Sequence, residues 1–110
     1  MLIVIINMES SVFMVDKNKR GILMKIGFIG YGSMGSMIID ALLNSKTLTP
    51  EKLIISNRTL NKLDKIKKEY PEIEITNDNE YLASECQKIF IFVGTFAVKE
   101  ILEDIKKWVK

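Results

Sequence analysis

Histidine is absent from this chain and cysteine occurs once, which narrows the chemistry that the protein can carry. A single cysteine excludes an internal disulfide framework, and without histidine the ordinary Cys/His metal sites cannot be built. Cys86 has no histidine to activate it, so we interpret it as a small core residue rather than as a nucleophile. This cysteine usage favours the cytoplasm.

The sequence also lacks long apolar runs and any concentration of charge of one sign. The apolar run at residues 2–6 is far shorter than the ~20 residues that span a bilayer, and no secretion signal accompanies it. The 16 basic and 14 acidic residues are interspersed and leave a net charge of +2. Neither a membrane span nor a basic, aromatic-rich surface for nucleic acid is expected.

Glycine is scarce as well, yet four of the six glycines lie within residues 25–35, which read KIGFIGYGSMG. There an apolar strand pattern runs into Gly-X-Gly-X-X-Gly and then into a helical pattern, the order that a dinucleotide-binding fingerprint requires. Gly30 permits the tight turn, Gly32 lets the backbone approach a pyrophosphate, and Gly35 lets the helix lie close to the sheet. Amide groups at the helix start would bind the phosphate charge. The alternative is a glycine-rich turn without a ligand.

The remaining sequence alternates between strand and helix patterns. Strands are predicted over residues 25–29, 53–56, 73–75 and 88–93, and helices over residues 33–43, 60–70, 79–83 and 96–109. This alternation predicts an α/β fold of Rossmann type, a doubly wound parallel sheet truncated to about four strands in the order 3-2-1-4. A ligand would lie against the loops after the first and fourth strands. The fourth strand would be left as an apolar edge through which the protein could associate.

The first helix carries apolar residues at helical spacing, which predicts its buried face. The members of this set are Met34, Met37, Ile38, Ala41 and Leu42. We therefore expect both methionines to lie in the core.

Residues 24–110 form the predicted nucleotide-binding domain, and residues 1–23 form an N-terminal extension. The extension has no sustained periodicity, which predicts that it is disordered or that the natural start is Met24. The alternative is that the apolar residues 2–6 form a short additional strand.

The residues after the second strand discriminate between the two dinucleotides. In an NAD site a carboxylate at this place binds the ribose 2′-hydroxyl. Here the sequence has Ser56, Asn57, Arg58 and Thr59, with no carboxylate to repel a 2′-phosphate and with a guanidinium to bind it. NADP is therefore favoured over NAD. The alternative is a simple turn in which Thr59 caps the next helix and Arg58 lies in solvent.

Together, KIGFIGYGSMG, LIISNRTLNKL and KIFIFV resemble the N-terminal part of pyrroline-5-carboxylate reductase, and the resemblance covers residues 24–110. That family uses NAD(P)H to reduce 1-pyrroline-5-carboxylate to proline, the last step of proline biosynthesis. The resemblance implies pyrophosphate binding by Gly30, Tyr31, Gly32, Ser33, Met34 and Gly35. It implies that Asn57, Arg58 and Thr59 hold the adenosine phosphate.

The segment after the fourth strand departs from the family. Members commonly have Val-Lys-Pro beside the nicotinamide ribose, whereas this chain has Val93, Gly94 and Thr95. Backbone groups and the Thr95 hydroxyl are expected to serve there. The departure leaves open a related imine or β-hydroxyacid substrate.

The family's helical C-terminal domain supplies the substrate pocket and the dimer interface, and it has no counterpart in these 110 residues. No catalytic residue is expected in this half, because the cofactor carries the hydride and the protein mainly orients it. The isolated chain is therefore expected to bind NADP without turnover. Two other functions remain open, a stand-alone NADP-binding or interaction module and the remnant of a truncated gene.

Overall fold

The computed structural model describes residues 2–7, 14–16, 21–23 and 25–108, with the side chains of residues 4–6, 25–94 and 96–108. The strands are β1 (Leu2–Asn7), β2 (Met14–Asp16), β3 (Gly21–Leu23), β4 (Ile26–Ile29), β5 (Leu53–Ser56), β6 (Glu74–Thr76) and β7 (Lys88–Val93). The α-helices are α1 (Ser33–Asn44), α2 (Asp64–Glu69), α3 (Asn79–Glu85) and α4 (Thr95–Ile105). Short 3-10 turns occur at Pro50–Lys52, Leu60–Leu63 and Lys106–Trp108.

The central sheet has the strand order β1-β7-β4-β5-β6. Strand β4 lies between β5 and β7 and is parallel to both, and β5 is parallel to β6. The four strands predicted from the sequence therefore lie in the predicted order, and the α/β Rossmann-type class is confirmed. The sheet is not limited to four strands, because β1 adds a fifth.

Helices cover both faces of this sheet. Neighbouring residues of each strand point to opposite faces, so each strand contributes side chains to the apolar clusters on both sides. Phe28 packs with residues of α1 and α2, whereas Ile29 packs with residues of α3 and α4. The cluster on the first side contains Phe28, Ile39, Leu43, Leu53, Ile55, Leu63, Ile66, Ile73 and Phe92. The cluster on the second side contains Ile29, Ile54, Leu82, Ala83, Cys86, Ile89, Ile91, Ile101 and Ile105.

The predicted buried face of α1 is only partly right. Ile38 and Leu42 are half-buried against the core, whereas Ala41 is exposed. Gly35, Ile39 and Leu43 are buried, whereas Met34 and Met37 are 46% and 65% exposed, so the prediction that both methionines lie in the core was wrong. A Cβ on Gly35 would lie 2.9 Å from the carbonyl oxygen of Gly30, because this position lies directly against the preceding turn. With Gly35 facing inward, every fourth residue after it also faces the sheet.

Strand β1 covers the edge of β7 that was expected to be open. It runs antiparallel to β7, with Leu2 opposite Val93 and Asn7 opposite Lys88. The expected open edge and the expected disorder of the extension are therefore wrong for residues 2–7, and the alternative of an additional strand is confirmed. The physical reason is that an apolar, largely β-branched segment meets the unpaired main-chain groups of a buried strand.

Two further segments of the N-terminal extension also have regular structure. Strands β2 and β3 form an antiparallel pair, with Met14 opposite Leu23 and Asp16 opposite Gly21. Residues 1, 8–13, 17–20 and 24 lie outside the described residues. The prediction that the natural protein starts at Met24 therefore stays a prediction. Within the described part of the chain, no helix has the length and apolarity needed to cross a membrane.

Candidate functional site

The turn after β4 requires glycine at its first position. Gly30 has a φ of +103°, which L-residues with a Cβ rarely adopt. A Cβ added to Gly30 would also lie 2.2 Å from the carbonyl oxygen of Phe92 on the neighbouring strand. The Gly30 N–H donates to the carbonyl oxygen of Ser56 at 2.8 Å, which fixes the turn to the end of β5.

Asn57 joins this turn to the loop after β5. Its Oδ1 accepts a hydrogen bond from the Tyr31 N–H at 3.0 Å, and its Nδ2 donates to the carbonyl oxygen of Thr59 at 2.9 Å. Its own N–H donates to the carbonyl oxygen of Thr76 at 3.1 Å. The Asn57 side chain therefore positions two loops, one after each of two neighbouring strands.

The N-terminus of α1 points its amide groups into a hollow at the carboxyl edge of the sheet. Gly32 is the N-cap, and no side-chain hydrogen bond caps the helix, whose first turn contains no acidic residue. A Cβ on Gly32 would meet no atom within 4 Å. The hollow is lined by Gly30, Tyr31, Gly32, Ser33, Met34, Gly35, Asn57, Phe92, Val93 and Gly94. Uncapped amides and the positive end of the helix dipole suit this hollow for an anion.

A cleft of about 350 Å³ adjoins the hollow and shares Gly30, Asn57 and Val93 with it. The cleft is lined by Ile29, Gly30, Asn57, Arg58, Asn77, Asn79, Val93, Ala97, Glu100, Ile101 and Asp104. Its walls come from the ends of β4, β5 and β7 and from α3 and α4. The volume is in the range of small-molecule sites, and its position at the carboxyl ends of parallel strands is where α/β folds bind ligands.

Arg58 and Glu100 face each other across this cleft. The Nη2 atom of Arg58 lies 3.7 Å from Oε2 of Glu100, and the two side chains are 83% and 70% exposed. Arg58 follows β5, whereas Glu100 belongs to α4, so the ion pair joins opposite walls of the cleft. Arg58 lies largely in solvent, as the alternative from the sequence has it, and there it forms an exposed ion pair with Glu100.

A buried hydroxyl fixes one more polar side chain in the wall of the cleft. Ser56 is 1% exposed, and its Oγ donates a hydrogen bond to Oδ1 of Asn79 at 2.6 Å. Asn79 is the first residue of α3, whose N-cap Asp78 accepts hydrogen bonds from the N–H groups of Glu80 and Tyr81. This capping and the Ser56 bond together set the orientation of the Asn79 amide.

Sequence reasoning missed the residues that come from the loop after β6 and from α3 and α4. These are Asn77, Asn79, Ala97, Glu100, Ile101 and Asp104. Glu100 and Asp104 belong to a helix far from Arg58 in the sequence, and only the tertiary structure brings them to the cleft that Arg58 lines. The Asn77-Asp78-Asn79 segment carried a usable signal, because a helix cap directly after a parallel strand lies at the ligand-binding edge.

One predicted cofactor-binding residue, Thr59, lines neither the hollow nor the cleft. Thr59 is exposed, and it makes no side-chain hydrogen bond that would cap the following 3-10 turn. Thr95 is the first residue of α4, but its side chain lies outside the described ones. The other predicted residues, at positions 30–35, 57, 58, 93 and 94, line one or both spaces.

The pKa values of Cys86 and Tyr31 are both raised. Burial raises the pKa of the Cys86 thiol to about 12, and the side chain is 1% exposed, so Cys86 is a core residue as predicted. Burial, together with Asp40 and Glu69, raises the pKa of Tyr31 and keeps its phenol neutral. Among the described residues, no group of three or more His, Cys, Asp or Glu side chains is placed to hold a metal ion.

The sequence matches a family model described as NADP oxidoreductase, coenzyme F420-dependent, over residues 25–110. The match begins one residue before β4 and contains the glycine turn, the loop after β5 and helix α4. The hollow and the cleft therefore lie within the part that the family shares.

Similar proteins include bacterial and archaeal members. ComE operon protein 4 of Bacillus subtilis (strain 168) is 42% identical over 79 residues, which are 72% of this chain and 29% of that protein. Pyrroline-5-carboxylate reductase of Methanobrevibacter smithii is 37% identical over 83 residues, which are 76% of this chain and 33% of that protein. Pyrroline-5-carboxylate reductase 3 of B. subtilis is 34% identical over 86 residues, 77% of this chain and 31% of that protein.

The matched part of this chain thus corresponds to about a third of the length of these relatives. The resemblance to pyrroline-5-carboxylate reductases over residues 24–110 is confirmed. The chain belongs to the NADP oxidoreductase, coenzyme F420-dependent, family, which its residues 25–110 match, and it has an NADP-binding oxidoreductase domain of the kind found in pyrroline-5-carboxylate reductases.

Proposed function

We propose that this chain binds NADPH for a reductase that converts 1-pyrroline-5-carboxylate to proline in amino-acid biosynthesis. The observation that carries the proposal is the continuity of two spaces at the carboxyl edge of the sheet. One space contains the uncapped N-terminus of α1, and the other contains Arg58. A dinucleotide needs both, an anion site for its pyrophosphate and a cleft for its adenosine half.

In this proposal the glycine turn binds the pyrophosphate. Main-chain groups of Gly30, Tyr31, Gly32, Ser33, Met34 and Gly35 surround it. The protein itself requires glycine at positions 30 and 35, whereas a Cβ on Gly32 would enter open space. A ligand that approaches the backbone at Gly32 accounts for glycine at that position.

The loop after β5 selects NADP over NAD in this proposal. Arg58 binds the 2′-phosphate, and Asn57 positions the loop by its hydrogen bonds to Tyr31 and Thr59. Thr59 adds a hydroxyl at the outer edge of the same loop. Val93, Gly94 and Thr95 lie beside the nicotinamide ribose, where the departure from Val-Lys-Pro makes a related imine or β-hydroxyacid the alternative substrate.

The isolated chain binds the dinucleotide without turnover in this proposal. The cofactor supplies the hydride, and this domain holds and orients it. The relatives are about three times as long as the part matched here, and we assign the substrate pocket to the remainder of such a protein. We also propose a cytoplasmic location, in which a buried free thiol such as Cys86 stays reduced.

Calorimetric titration of the chain with NADPH and with NADH tests the dinucleotide assignment. NADPH should bind more tightly than NADH, and Arg58→Ala should weaken NADPH by roughly ten- to a hundredfold while NADH changes little. Lys65→Ala is the matched control, because it removes one exposed positive charge outside the cleft. Equal losses for the two dinucleotides, or no binding by a folded sample, would overturn the assignment.

A second measurement tests the proposal that this chain binds the dinucleotide without catalysing the reaction. The chain alone should not oxidise NADPH when 1-pyrroline-5-carboxylate is added, as followed by absorbance. Turnover by the purified chain would contradict the proposal that it only binds. A longer natural protein containing this domain should reduce 1-pyrroline-5-carboxylate. If it does not reduce that compound but reduces another imine, the alternative substrate class is favoured.

A further inference from the structure

We infer that Glu100 reduces the preference for NADPH over NADH, because it competes with the 2′-phosphate for Arg58. This inference rests on the proposed function and deepens it. It assigns a specificity-determining role to a residue of α4, on the wall of the cleft opposite the loop after β5.

Arg58 forms an ion pair with Glu100 in the structure. Its Nη2 atom lies 3.7 Å from Oε2 of Glu100, and both residues line the same cleft. A 2′-phosphate that binds the Arg58 guanidinium competes with the Glu100 carboxylate, because both anions are attracted to the same positive charge. Binding of NADPH therefore weakens this ion pair, whereas NADH has no 2′-phosphate to compete for Arg58.

The other charges of the cleft also oppose binding of a 2′-phosphate. Arg58 is the one basic residue among those described as lining it, whereas Glu100 and Asp104 are both acidic. Asp104 lies one helical turn beyond Glu100 on α4, so the two carboxylates share one side of the helix. A 2′-phosphate entering this cleft meets two negative charges and one positive charge.

The exposure of both side chains limits the size of the effect. Arg58 and Glu100 are 83% and 70% exposed, so water and salt screen their attraction. An exposed ion pair of this kind changes an equilibrium by about two- to fivefold. Glu100 therefore adjusts the preference that Arg58 creates and does not reverse it.

The test compares Glu100→Gln with Glu103→Gln in calorimetric titrations at low ionic strength. Glu103 is the matched control, because it lies on the same helix, pairs with Lys106 and does not line the cleft. Glu100→Gln should tighten NADPH by about two- to fivefold and leave NADH unchanged. Glu103→Gln should change neither dinucleotide.

A double variant shows whether Glu100 acts through Arg58. In an Arg58→Ala background, Glu100→Gln should tighten NADPH clearly less than in the wild-type background, since no ion pair remains to be broken. An equal gain in both backgrounds would overturn the inference in favour of general charge repulsion. An equal gain for NADH would overturn it as well.

Different titration results would refute the role of Glu100 and the assigned role of Arg58. If Glu100→Gln has no effect while Arg58→Ala still weakens NADPH selectively, only the role of Glu100 is refuted. If Arg58→Ala affects both dinucleotides equally, the assigned role of Arg58 is refuted, and the role of Glu100 is refuted with it.

Discussion

Two glycines of the turn after β4 serve different purposes, and alanine substitutions separate them. Gly30→Ala should lower the free energy of unfolding by about 2 to 4 kcal/mol, because φ is +103° and the new Cβ would meet the Phe92 carbonyl oxygen. Gly32→Ala should change stability by less than about 1 kcal/mol, because open space surrounds that position. The same variant should lose dinucleotide affinity. Urea unfolding and calorimetric titration measure the two effects.

The opposite pattern would contradict this division. A stable Gly30→Ala variant would show that the turn tolerates a side chain, and full NADPH binding by Gly32→Ala would show that the backbone does not approach the pyrophosphate there.

Cys86 should make the fold less stable as the pH rises. Burial raises the pKa of its thiol from the ordinary 9.0 to about 12, so the unfolded chain loses this proton at a lower pH than the folded chain does. The stabilising effect is complete below pH 9 and declines above it. From pH 8 to pH 10, the wild type should lose roughly 1.4 kcal/mol more unfolding free energy than Cys86→Ala.

Urea unfolding of both proteins at the two pH values measures this difference. The variant also controls for Tyr31 and Tyr81, whose raised pKa values act in the same direction and are present in both proteins. Parallel losses in the two proteins would show that the Cys86 thiol ionises equally easily in the folded and unfolded chains.

The residues that the sequence identified are those whose role depends on local structure. The glycines of the turn and Arg58 follow directly from a strand, so their position at the edge of the sheet could be predicted. Asn79 follows β6 in the same way, whereas Glu100 could not be identified, because α4 approaches the loop after β5 only in the folded molecule. Glu100 on its own helix has no local feature that separates it from Glu103.

At the scale of an element, α1 shows that a close contact can decide which side of a helix is buried. The apolar spacing favoured Met34 and Met37, but the fit of Gly35 against the Gly30 carbonyl oxygen turns the helix toward Ile39 and Leu43. Long apolar side chains tolerate partial exposure, whereas a helix cannot approach the turn with a side chain at position 35.

This orientation predicts unequal effects of two alanine substitutions two residues apart. Ile39→Ala should destabilise the fold by about 2 to 5 kcal/mol, because Ile39 is fully buried against the sheet. Met37→Ala should change the free energy of unfolding by less than about 0.5 kcal/mol, because this side chain is 65% exposed. Thermal or urea unfolding compares them, and a larger loss for Met37→Ala would restore the predicted orientation of the helix.

The positions of the strands could be predicted from the sequence more reliably than the orientation of α1. A parallel strand covered on both faces is a continuous apolar run, and KIFIFV and LIIS have that character. The segment predicted as one helix over residues 60–70 is instead a 3-10 turn, Leu60–Leu63, followed by the short helix α2. No side chain caps this turn, and Leu60 is 40% exposed, so only its later part packs against the sheet.

At the scale of the whole molecule, the first and last strands of the chain lie side by side in one sheet. Strand β1 pairs with β7 along its full length, although more than 80 residues separate them. No local pattern can predict such a pairing, because its stability comes from the apolar surface and main-chain groups of a distant strand. The pairing also explains why a run as apolar as β7 is not left at an open edge.

Loss of the pairing between β1 and β7 should destabilise the molecule and promote its association. Val4 and Ile6 pack against the apolar cluster beneath α3 and α4, whereas Ile5 is 60% exposed. Val4→Asp should therefore lower the free energy of unfolding by about 2 kcal/mol or more, since it buries a charge that has no partner in that cluster. Ile5→Asp is the matched control and should cost far less.

A chain that starts at Met24 extends the same test, because it lacks β1 entirely. It should expose the edge of β7 and form oligomers at concentrations where the full chain is monodisperse, as measured by light scattering. If both proteins scatter alike and Val4→Asp is as stable as Ile5→Asp, then β1 does not protect this edge. Association of the shortened chain alone would show that strand β1 occupies a surface that otherwise recruits another strand.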